Sequence, residues 1–283
     1  MAERDYVLGT EEEEIERLGL QHRVWRGRML DAFARAGIRS GMTVLDVGCG
    51  PGWAAVDLAE SVGPEGRVIA CERSRRFLDS LEARAAALGL VNIELEERDV
   101  SADGLGEARA DAAWCRWVLS FVDDPARTVG HIARALRPEG VAVFHEYADY
   151  AAWRTMPPSA EVERFRELVI RSWRDSGGEP DAALGLPAWL RDAGMEIVEV
   201  RPLIEIVGRE QSTWEWPAAF MAVNARRLAS LGYVDEEEAE RLATALERLP
   251  EETLMITPLV AEVIARKAQL PPPFFPPLPR GEG

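Results

Sequence analysis

Apolar and polar positions along the first half of the chain alternate in a way that predicts helices and strands in turn. Residues 11–36 carry an apolar stripe at helical spacing that ends at Gly37, which predicts an N-terminal helix. Short apolar runs predict strands over 43–47, 67–71, 92–96, 112–118 and 141–147. The stretches between them predict helices over 53–61, 75–88 and 125–136. This order predicts an α/β fold with a doubly wound, mostly parallel sheet covered by helices on both faces.

The pattern changes after residue 150, where helices become more frequent than strands. Helices are predicted over 159–176, 184–193, 213–231 and 235–249, and strands near 196–207 and over 254–267, where Pro258 limits the strand to an edge or a bulge. We therefore divide the chain into segments: an N-terminal helical lid (1–38), an α/β core (39–150), a helical insertion (151–194), the remaining core strands with a helical lid at 209–250 (195–268), and a Pro-rich tail (269–283).

Composition and charge exclude several classes of partner. The net charge of −16 over 283 residues disfavours nucleic acid, which is held by clustered cations. No apolar run reaches the ~20 residues of a membrane span, and no apolar signal segment is found at the N-terminus. The cysteines Cys49, Cys71 and Cys115 share no ligand spacing. We therefore expect reduced thiols in a cytoplasmic protein, without a metal site.

The most informative segment is VLDVGCGPG, at residues 44–52, where a hydrophobic strand runs into three glycines at alternate positions. Glycine is needed where the chain turns sharply or where backbone must approach a ligand, and the N–H groups of such a turn suit an anionic ligand group. A dinucleotide fingerprint needs a third glycine at position 53 for close helix packing, but Trp53 stands there. The spacing therefore disfavours a nicotinamide cofactor.

The G-x-G-x-G spacing with Asp46 resembles the first motif of the class I S-adenosylmethionine-dependent methyltransferases. The resemblance covers roughly residues 40–150, because the segments DAAWCRWVLSFVDDP and LRPEG resemble later motifs of that family in the same order. In LRPEG, Glu139 replaces the usual glycine, and we expect Gly140 to supply the positive φ. The resemblance implies a Rossmann-like, seven-stranded fold with helical insertions that binds S-adenosyl-L-methionine.

Several residues take cofactor-binding roles on this basis. Glu72, at the carboxyl end of the second strand, is expected to accept hydrogen bonds from both ribose hydroxyls. Asp99 is expected to reach the adenine amine while Val100 offers its N–H, although Asp99 could instead cap a turn. Tyr6, Arg17 and Gln21 resemble a lid over the methionine end; an ordinary amphipathic helix remains the alternative for the last two. The predicted cofactor set is completed by Asp46, Gly48, Cys49, Gly50, Gly52, Arg73, Cys115 and Arg116.

Catalytic and acceptor-binding residues are predicted near the end of the fifth strand, in FHEYADY. Methyl transfer needs mainly proximity and alignment, with a general base if the nucleophile is a hydroxyl. His145 is our candidate base, with a structural histidine as the alternative, and strand alternation places Glu146 on the opposite face. His22 is a second candidate base, whereas His131 is expected to be structural. The aromatic candidates for acceptor binding are Trp117, Tyr147 and Trp153, with Trp214 and Trp216 in the lid.

The expected function is methylation of a small, apolar or aromatic molecule, with a homodimer left open. One alternative is an enzyme that uses the same cofactor for decarboxylation or cyclisation, since the motifs bind the cofactor and do not define the reaction. Another is a non-catalytic protein that keeps the fold. The sequence does not distinguish oxygen, nitrogen and carbon as the methylated atom.

Overall fold

The computed structural model describes residues 8–268. Its strands are, in chain order, β1 (Thr43–Val47), β2 (Arg67–Glu72), β3 (Ile93–Glu97), β4 (Ala110–Arg116), β5 (Leu136–Asp149), β6 (Arg154–Met156), β7 (Met195–Leu203), β8 (Ile206–Val207), β9 (Leu254–Ile256) and β10 (Leu259–Lys267). The helices are α1 (Glu12–Ala36), α2 (Trp53–Val62), α3 (Arg75–Leu88), α4 (Pro125–Ala135), α5 (Ala160–Asp175), α6 (Leu186–Asp192), α7 (Ser212–Ser230) and α8 (Glu236–Ala243). Tyr6 and the tail 269–283 lie outside the described residues.

Seven strands form one sheet in the order β3–β2–β1–β4–β5–β10–β7. Strands β1 to β5 pair in parallel, and β10 runs antiparallel to both of its neighbours. Because β1 lies between β2 and β4, the chain winds outward from β1 in two directions, and the carboxyl ends of these strands form a crevice where the winding reverses. The predicted fold class, a doubly wound and mostly parallel sheet, is confirmed.

Helices cover both faces of this sheet. On one face, α1, α2 and α3 bury an apolar cluster that includes Met29, Leu58 and Leu81. On the other, α4 and α6 pack over a cluster that includes Ile132 and Leu190. The sheet strands alternate between the two clusters, as Val44 and Leu45 do in β1.

A third apolar cluster lies beyond the carboxyl ends of the strands and is rich in aromatic side chains. It is formed by α5, α7 and α8 with residues of the strand ends, and the small antiparallel sheet β6–β9–β8 contributes to it. We call it the aromatic cluster; its rings are Trp25, Trp117, Tyr147, Tyr150, Trp153, Phe165, Trp173, Trp214, Trp216 and Phe220. Helix α5 follows β6 in the chain, and α7 and α8 follow β8, so the second half of the sequence covers the ligand-binding edge of the sheet.

Three sequence expectations about the fold need correction in detail. The single strand expected over 254–267 is two strands: Pro258 separates β9 from β10, and β10 lies inside the large sheet between β5 and β7 and not at an edge. The register of β10 against β5 is irregular at Leu259 and Val260, next to the proline, which agrees with the bulge alternative. Glu139, and not Gly140, has the positive φ, at 64°. Gly140 is instead needed for space, because a Cβ there would lie 2.9 Å from the carbonyl oxygen of Arg137. The helix expected over 235–249 ends at Ala243 and continues only as a 3-10 turn, Ala245–Arg248.

Candidate functional site

A cavity with about 1000 Å³ of empty space opens at the carboxyl ends of β1 to β4. It lies where a doubly wound sheet places its ligand. Eleven of the residues predicted from the sequence line it: Gln21, Asp46, Gly48, Cys49, Gly50, Glu72, Arg73, Asp99, Val100, Arg116 and Trp117. The fold therefore brings together residues that are up to 96 positions apart in the chain, from Gln21 to Trp117.

The glycine turn after β1 forms one wall of the cavity. Gly50 has a φ of 54°, and a Cβ there would meet no other atom within 4 Å. Space beside its backbone is therefore open for a ligand. Gly52 does not line the cavity, and a Cβ there would overlap the side chain of Leu81. The glycine therefore allows α2 and α3 to pack closely, and its assignment to cofactor binding stays a prediction.

Glu72 ends β2 and faces the glycine turn. Its Oε2 accepts a hydrogen bond from the backbone N–H of Gly50 (3.1 Å) and its Oε1 accepts one from Ser74 (2.9 Å). Burial raises the pKa of Glu72, and these two hydrogen bonds oppose that shift. The carboxylate is thus held in one orientation by backbone donors, with lone pairs left for a ligand.

Asp99 and Val100 follow β3 at the outer end of the cavity. Asp99 Oδ1 accepts hydrogen bonds from the backbone N–H (2.9 Å) and the hydroxyl (2.6 Å) of Ser101, so the side chain caps the turn. Burial raises the pKa of Asp99 and these hydrogen bonds lower it, and the net shift is downward. Asp99 therefore caps the turn, as the alternative assignment predicts, and it also lines the cavity. His131 Nδ1 lies 2.9 Å from the carbonyl oxygen of Val100, a structural contact.

The inner end of the cavity carries two ionisable groups, the buried Asp46 and the half-buried Arg116. Burial raises the pKa of Asp46 to about 7 and lowers that of Arg116 to about 10. Within the described chain, Asp46 Oδ2 and Arg116 Nη1 are both buried without a hydrogen-bond partner. Buried polar atoms without partners are rare in folded proteins, so this end of the cavity is prepared for a polar ligand.

Helix α1 closes the cavity from above. Leu18 and Gln21 line it. Gln21 Oε1 accepts hydrogen bonds from Arg17 Nη1 (2.9 Å) and from Trp216 Nε1 on α7 (3.1 Å), while Arg17 also pairs with Glu14. The two lids predicted from the sequence, at the N-terminus and around α7, are thus joined through one amide side chain. The division into lid and core segments stays a prediction.

Besides Gly52, four predicted site residues lie away from the cavity wall. Cys115 is buried with its Sγ 3.8 Å from Glu146 Oε1. His145 is fully buried; its Nε2 lies 2.8 Å from Glu262 Oε2 and its ring packs against Trp114. Tyr147 and Trp153 belong to the aromatic cluster, where the Trp153 indole N–H points at the sulfur of Met255 (3.0 Å). The assignment of His145 as general base, and those of Tyr147 and Trp153 to the acceptor, stay predictions.

Other residues line the cavity that the sequence reasoning did not single out: Leu18, Pro51, Ala54, Phe77, Arg98, Val118, Phe121 and Val122. Half of them are direct neighbours of predicted residues in the chain: Leu18, Pro51, Arg98 and Val118. No local pattern pointed to Phe77, because its position at the cavity depends on how α3 packs against the glycine turn. Glu146 was expected only to face away from His145; its Oε1 accepts the backbone N–H groups of Val118 (2.9 Å) and Leu119 (3.0 Å) and so holds the loop after β4.

Comparison with known proteins agrees with this geometry. Residues 44–140 match the family described as a methyltransferase domain. This match spans β1 to the start of β5 and so contains the glycine turn, Glu72 and Asp99. Residues 44–140 are a class I methyltransferase domain. The resemblance noted in the sequence, and S-adenosylmethionine as the cofactor of this kind of domain, are thereby confirmed.

Similar proteins extend the match beyond that domain. An uncharacterized 37.1 kDa protein in transposon TN4556 of Streptomyces fradiae is 31% identical over 77% of this chain and 61% of its own length. A demethylmenaquinone methyltransferase of Lactococcus lactis is 31% identical over 44% of this chain and 49% of its own length. The chain thus spans less than two thirds of either relative. The crystal structure of a Bacillus halodurans protein described as a methyltransferase has the same fold, with a TM-score of 0.59 and 16% identity over 85% of this chain and 98% of that one.

Residues 8–268 contain neither a membrane-spanning helix nor a cluster of metal ligands. None of the helices there is both long and apolar enough to cross a membrane. No group of three or more histidine, cysteine, aspartate or glutamate side chains is arranged to hold a metal ion in the same residues.

Proposed function

We propose that this chain transfers the methyl group of S-adenosylmethionine to a small apolar or aromatic molecule. One observation carries the proposal: the open backbone of Gly50 and the oriented carboxylate of Glu72 face the same cavity. Bound S-adenosylmethionine supplies a methyl carbon on a positively charged sulfur, so that attack by a nucleophile breaks the C–S bond and leaves its electron pair on sulfur. The relative from Lactococcus lactis, a demethylmenaquinone methyltransferase, supports a small-molecule acceptor.

Different residues of the cavity would bind the different parts of the cofactor. Gly50 and the neighbouring turn would offer backbone N–H groups to the amino-acid end of the cofactor. Glu72 would accept hydrogen bonds from the ribose, and Asp99 with Val100 would contact the adenine. The rings of Trp114 and Trp117 at the inner end would exclude water from the methyl group and present π faces that attract a cationic sulfonium.

The lining suggests which acceptors are suitable. Among the described residues that line the cavity there is no histidine, tyrosine or lysine. A weakly acidic alcohol would need a general base to become a nucleophile, and the carboxylates of the lining, Glu72 and Asp99 among them, are assigned to the cofactor. An acceptor that is already nucleophilic, such as an amine, an enolate or an ionised hydroxyl, fits this lining better. Alignment and desolvation would then supply most of the rate enhancement.

The experiment has two steps. Calorimetric titration with S-adenosylmethionine and S-adenosylhomocysteine tests the cofactor site, and absence of binding of both would refute the proposal. A mixture of small amines, phenols and quinols is then incubated with S-adenosylmethionine, and mass spectrometry follows S-adenosylhomocysteine and the acceptor mass increased by one methylene. Cofactor consumption without a methylated product would favour the other chemistry that the same cofactor supports.

Partners and location belong to the same proposal. The charge of −16 disfavours nucleic acid, so we expect a small-molecule substrate. All three cysteines are buried and free, which suits a reducing cytoplasm. Light scattering on the purified protein tests whether it is a monomer or a homodimer.

A further inference from the structure

Arg116 is a half-buried cation that makes no ion pair or hydrogen bond with a carboxylate among the described residues. It ends β4 and lines the inner end of the cavity. Its Nη1 is buried and has no hydrogen-bond partner among the described residues. A second cavity arginine, Arg98, differs: it donates to Glu96 (3.2 Å) and to the carbonyl oxygen of Gly104 (2.9 Å). Arg116 is therefore the one of these two arginines that makes no ion pair; the nearby charge of Asp46 raises its pKa, but no hydrogen bond joins the two side chains.

A hydrogen-bonded chain that runs through His22 to Asp57 holds Arg116 in place. Its Nη2 lies 3.2 Å from His22 Nδ1, and His22 Nε2 lies 2.9 Å from Asp57 Oδ2. Arginine can only donate, so Nδ1 accepts and the Nε2–H donates to Asp57, which is a neutral tautomer of His22. Burial also lowers the pKa of His22, which favours that neutral form. His22 thus orients the guanidinium without neutralising it.

The surroundings of Arg116 are flat and apolar. Its guanidinium carbon lies 5.5 Å from the ring centre of Trp114 and 5.3 Å from that of Trp117. Trp117 in turn stacks on Tyr147, with ring centres 5.5 Å apart, and on Trp216, at 5.6 Å. The arginine therefore lies between the glycine turn on one side and the aromatic cluster on the other. A ligand that reaches it from the cluster side would carry a flat apolar body and an anionic group.

We propose that Arg116 binds an oxyanion of the methyl acceptor, a carboxylate or an ionised hydroxyl on a flat apolar skeleton. This inference rests on the proposed function and narrows its substrate class. His22 and Asp57 are positioning residues for the arginine. This replaces the assignment of Arg116 to the cofactor set in the sequence prediction. The other source of an oxyanion is the amino-acid carboxylate of the cofactor, and the glycine turn, with its own backbone donors, is the better site for that group.

Binding of simple probes tests the proposal without knowledge of the natural acceptor. The protein is saturated with S-adenosylhomocysteine and titrated with 2-naphthoate and with its neutral analogue 2-naphthamide. We expect the wild type to prefer the carboxylate by about tenfold or more, as a charge-assisted hydrogen bond implies. Arg116→Gln should remove this preference and Arg116→Lys should keep part of it. Arg98→Gln is the matched control, because that arginine is already paired, and it should keep the full preference.

A second titration separates the two sources of the oxyanion. Arg116→Gln is expected to bind both S-adenosylhomocysteine and 5′-methylthioadenosine, which lacks the amino-acid end, within about twofold of wild type. A large loss for S-adenosylhomocysteine alone would assign the arginine to the cofactor and overturn the proposal. Equal binding of naphthoate and naphthamide to the wild type would overturn it even if no variant folds. Failure of the wild type to bind S-adenosylhomocysteine would instead refute the proposed function itself.

Discussion

Glu72 offers the sharpest test of the cofactor site, because its carboxylate is held by backbone donors and faces open space. In Glu72→Gln the side chain keeps its size but has one acceptor oxygen and one NH₂ group. One of the two backbone donors, from Gly50 or from Ser74, would then face a donor. The ribose would also lose one of its two acceptors. The substitution therefore affects both stability and binding, and the two effects can be measured separately.

The magnitudes follow from the number of hydrogen bonds lost. Leaving one buried N–H without an acceptor costs about 1–3 kcal/mol of folding free energy. A hydrogen bond to a charged group contributes about 1.5–3 kcal/mol, so cofactor affinity should fall by about 10- to 150-fold. Burial raises the pKa of Glu72, and the backbone hydrogen bonds from Ser74 and Gly50 lower it, so the same donors that orient the carboxylate also favour its charged form.

Calorimetry with S-adenosylhomocysteine measures the loss, with circular dichroism to show that the variant is folded. Glu97→Gln is the matched control: Glu97 pairs with Glu72 in the neighbouring strand, is exposed, and does not line the cavity. A second comparison uses adenosine and 2′,3′-dideoxyadenosine, which the wild type should distinguish and Glu72→Gln should not. Equal affinity of both variants for S-adenosylhomocysteine, or equal discrimination of the two nucleosides, would refute the ribose assignment.

Three further substitutions test other parts of the site. Gly50→Val should abolish measurable binding of S-adenosylmethionine, whereas Gly89→Val, at a glycine with similar φ (68°) and equally open space but outside the cavity, should keep it; comparable affinities would remove the turn from the site. Asp46→Asn should become more stable relative to wild type as pH rises from 5 to 8, by up to about 1.4 kcal/mol per unit. The reason is that burial, opposed by Arg116 and reinforced by Glu72, raises the folded pKa to about 7, so the unfolded chain ionises first and wild type loses stability. Urea unfolding at both pH values checks this, and a constant difference contradicts it. His145→Ala should lower the free energy of unfolding by about 3–5 kcal/mol, because it leaves buried Glu262 without one partner, while affinity for S-adenosylhomocysteine changes less than threefold; a stable variant without turnover would instead support the catalytic assignment.

The first half of the fold could be predicted because each element there has a strong local pattern. The range predicted for the first strand agrees with β1, and that of the helix after β2 agrees with α3. The second half was harder, because its strands do not follow one another in space. Pro258 removes one backbone donor, which locally favours an edge, yet the chain uses it to pass from the small sheet into the large one. Only the tertiary pairing of β10 with β5 and β7 decides this.

The candidate site shows the same division between local and long-range information. Glu72 and Asp99 were predictable because each ends a strand, and strand ends meet at one edge of a parallel sheet. The contact of His22 with Arg116 joins residues 94 positions apart in the chain, and no local sequence pattern predicts it. His145 shows a second limit of local information. A histidine at a strand end suggests catalysis, but its partner Glu262 lies on β10, 117 positions away, and pairing with that strand buries both.

The ionisable groups behind the cavity indicate why this edge of the sheet is built for a ligand. Burial raises the pKa of Asp46 and of Glu146 to about 7, and lowers that of Arg116 to about 10. Each of the three keeps one buried polar atom without a partner in the described structure. Apolar residues at these positions would avoid that cost, so stability alone does not explain them. A ligand that supplies complementary groups would recover part of the cost, and its binding would stabilise the fold in proportion to its affinity. The chain therefore gives up folding free energy at the positions where a charged cofactor and its acceptor can restore it.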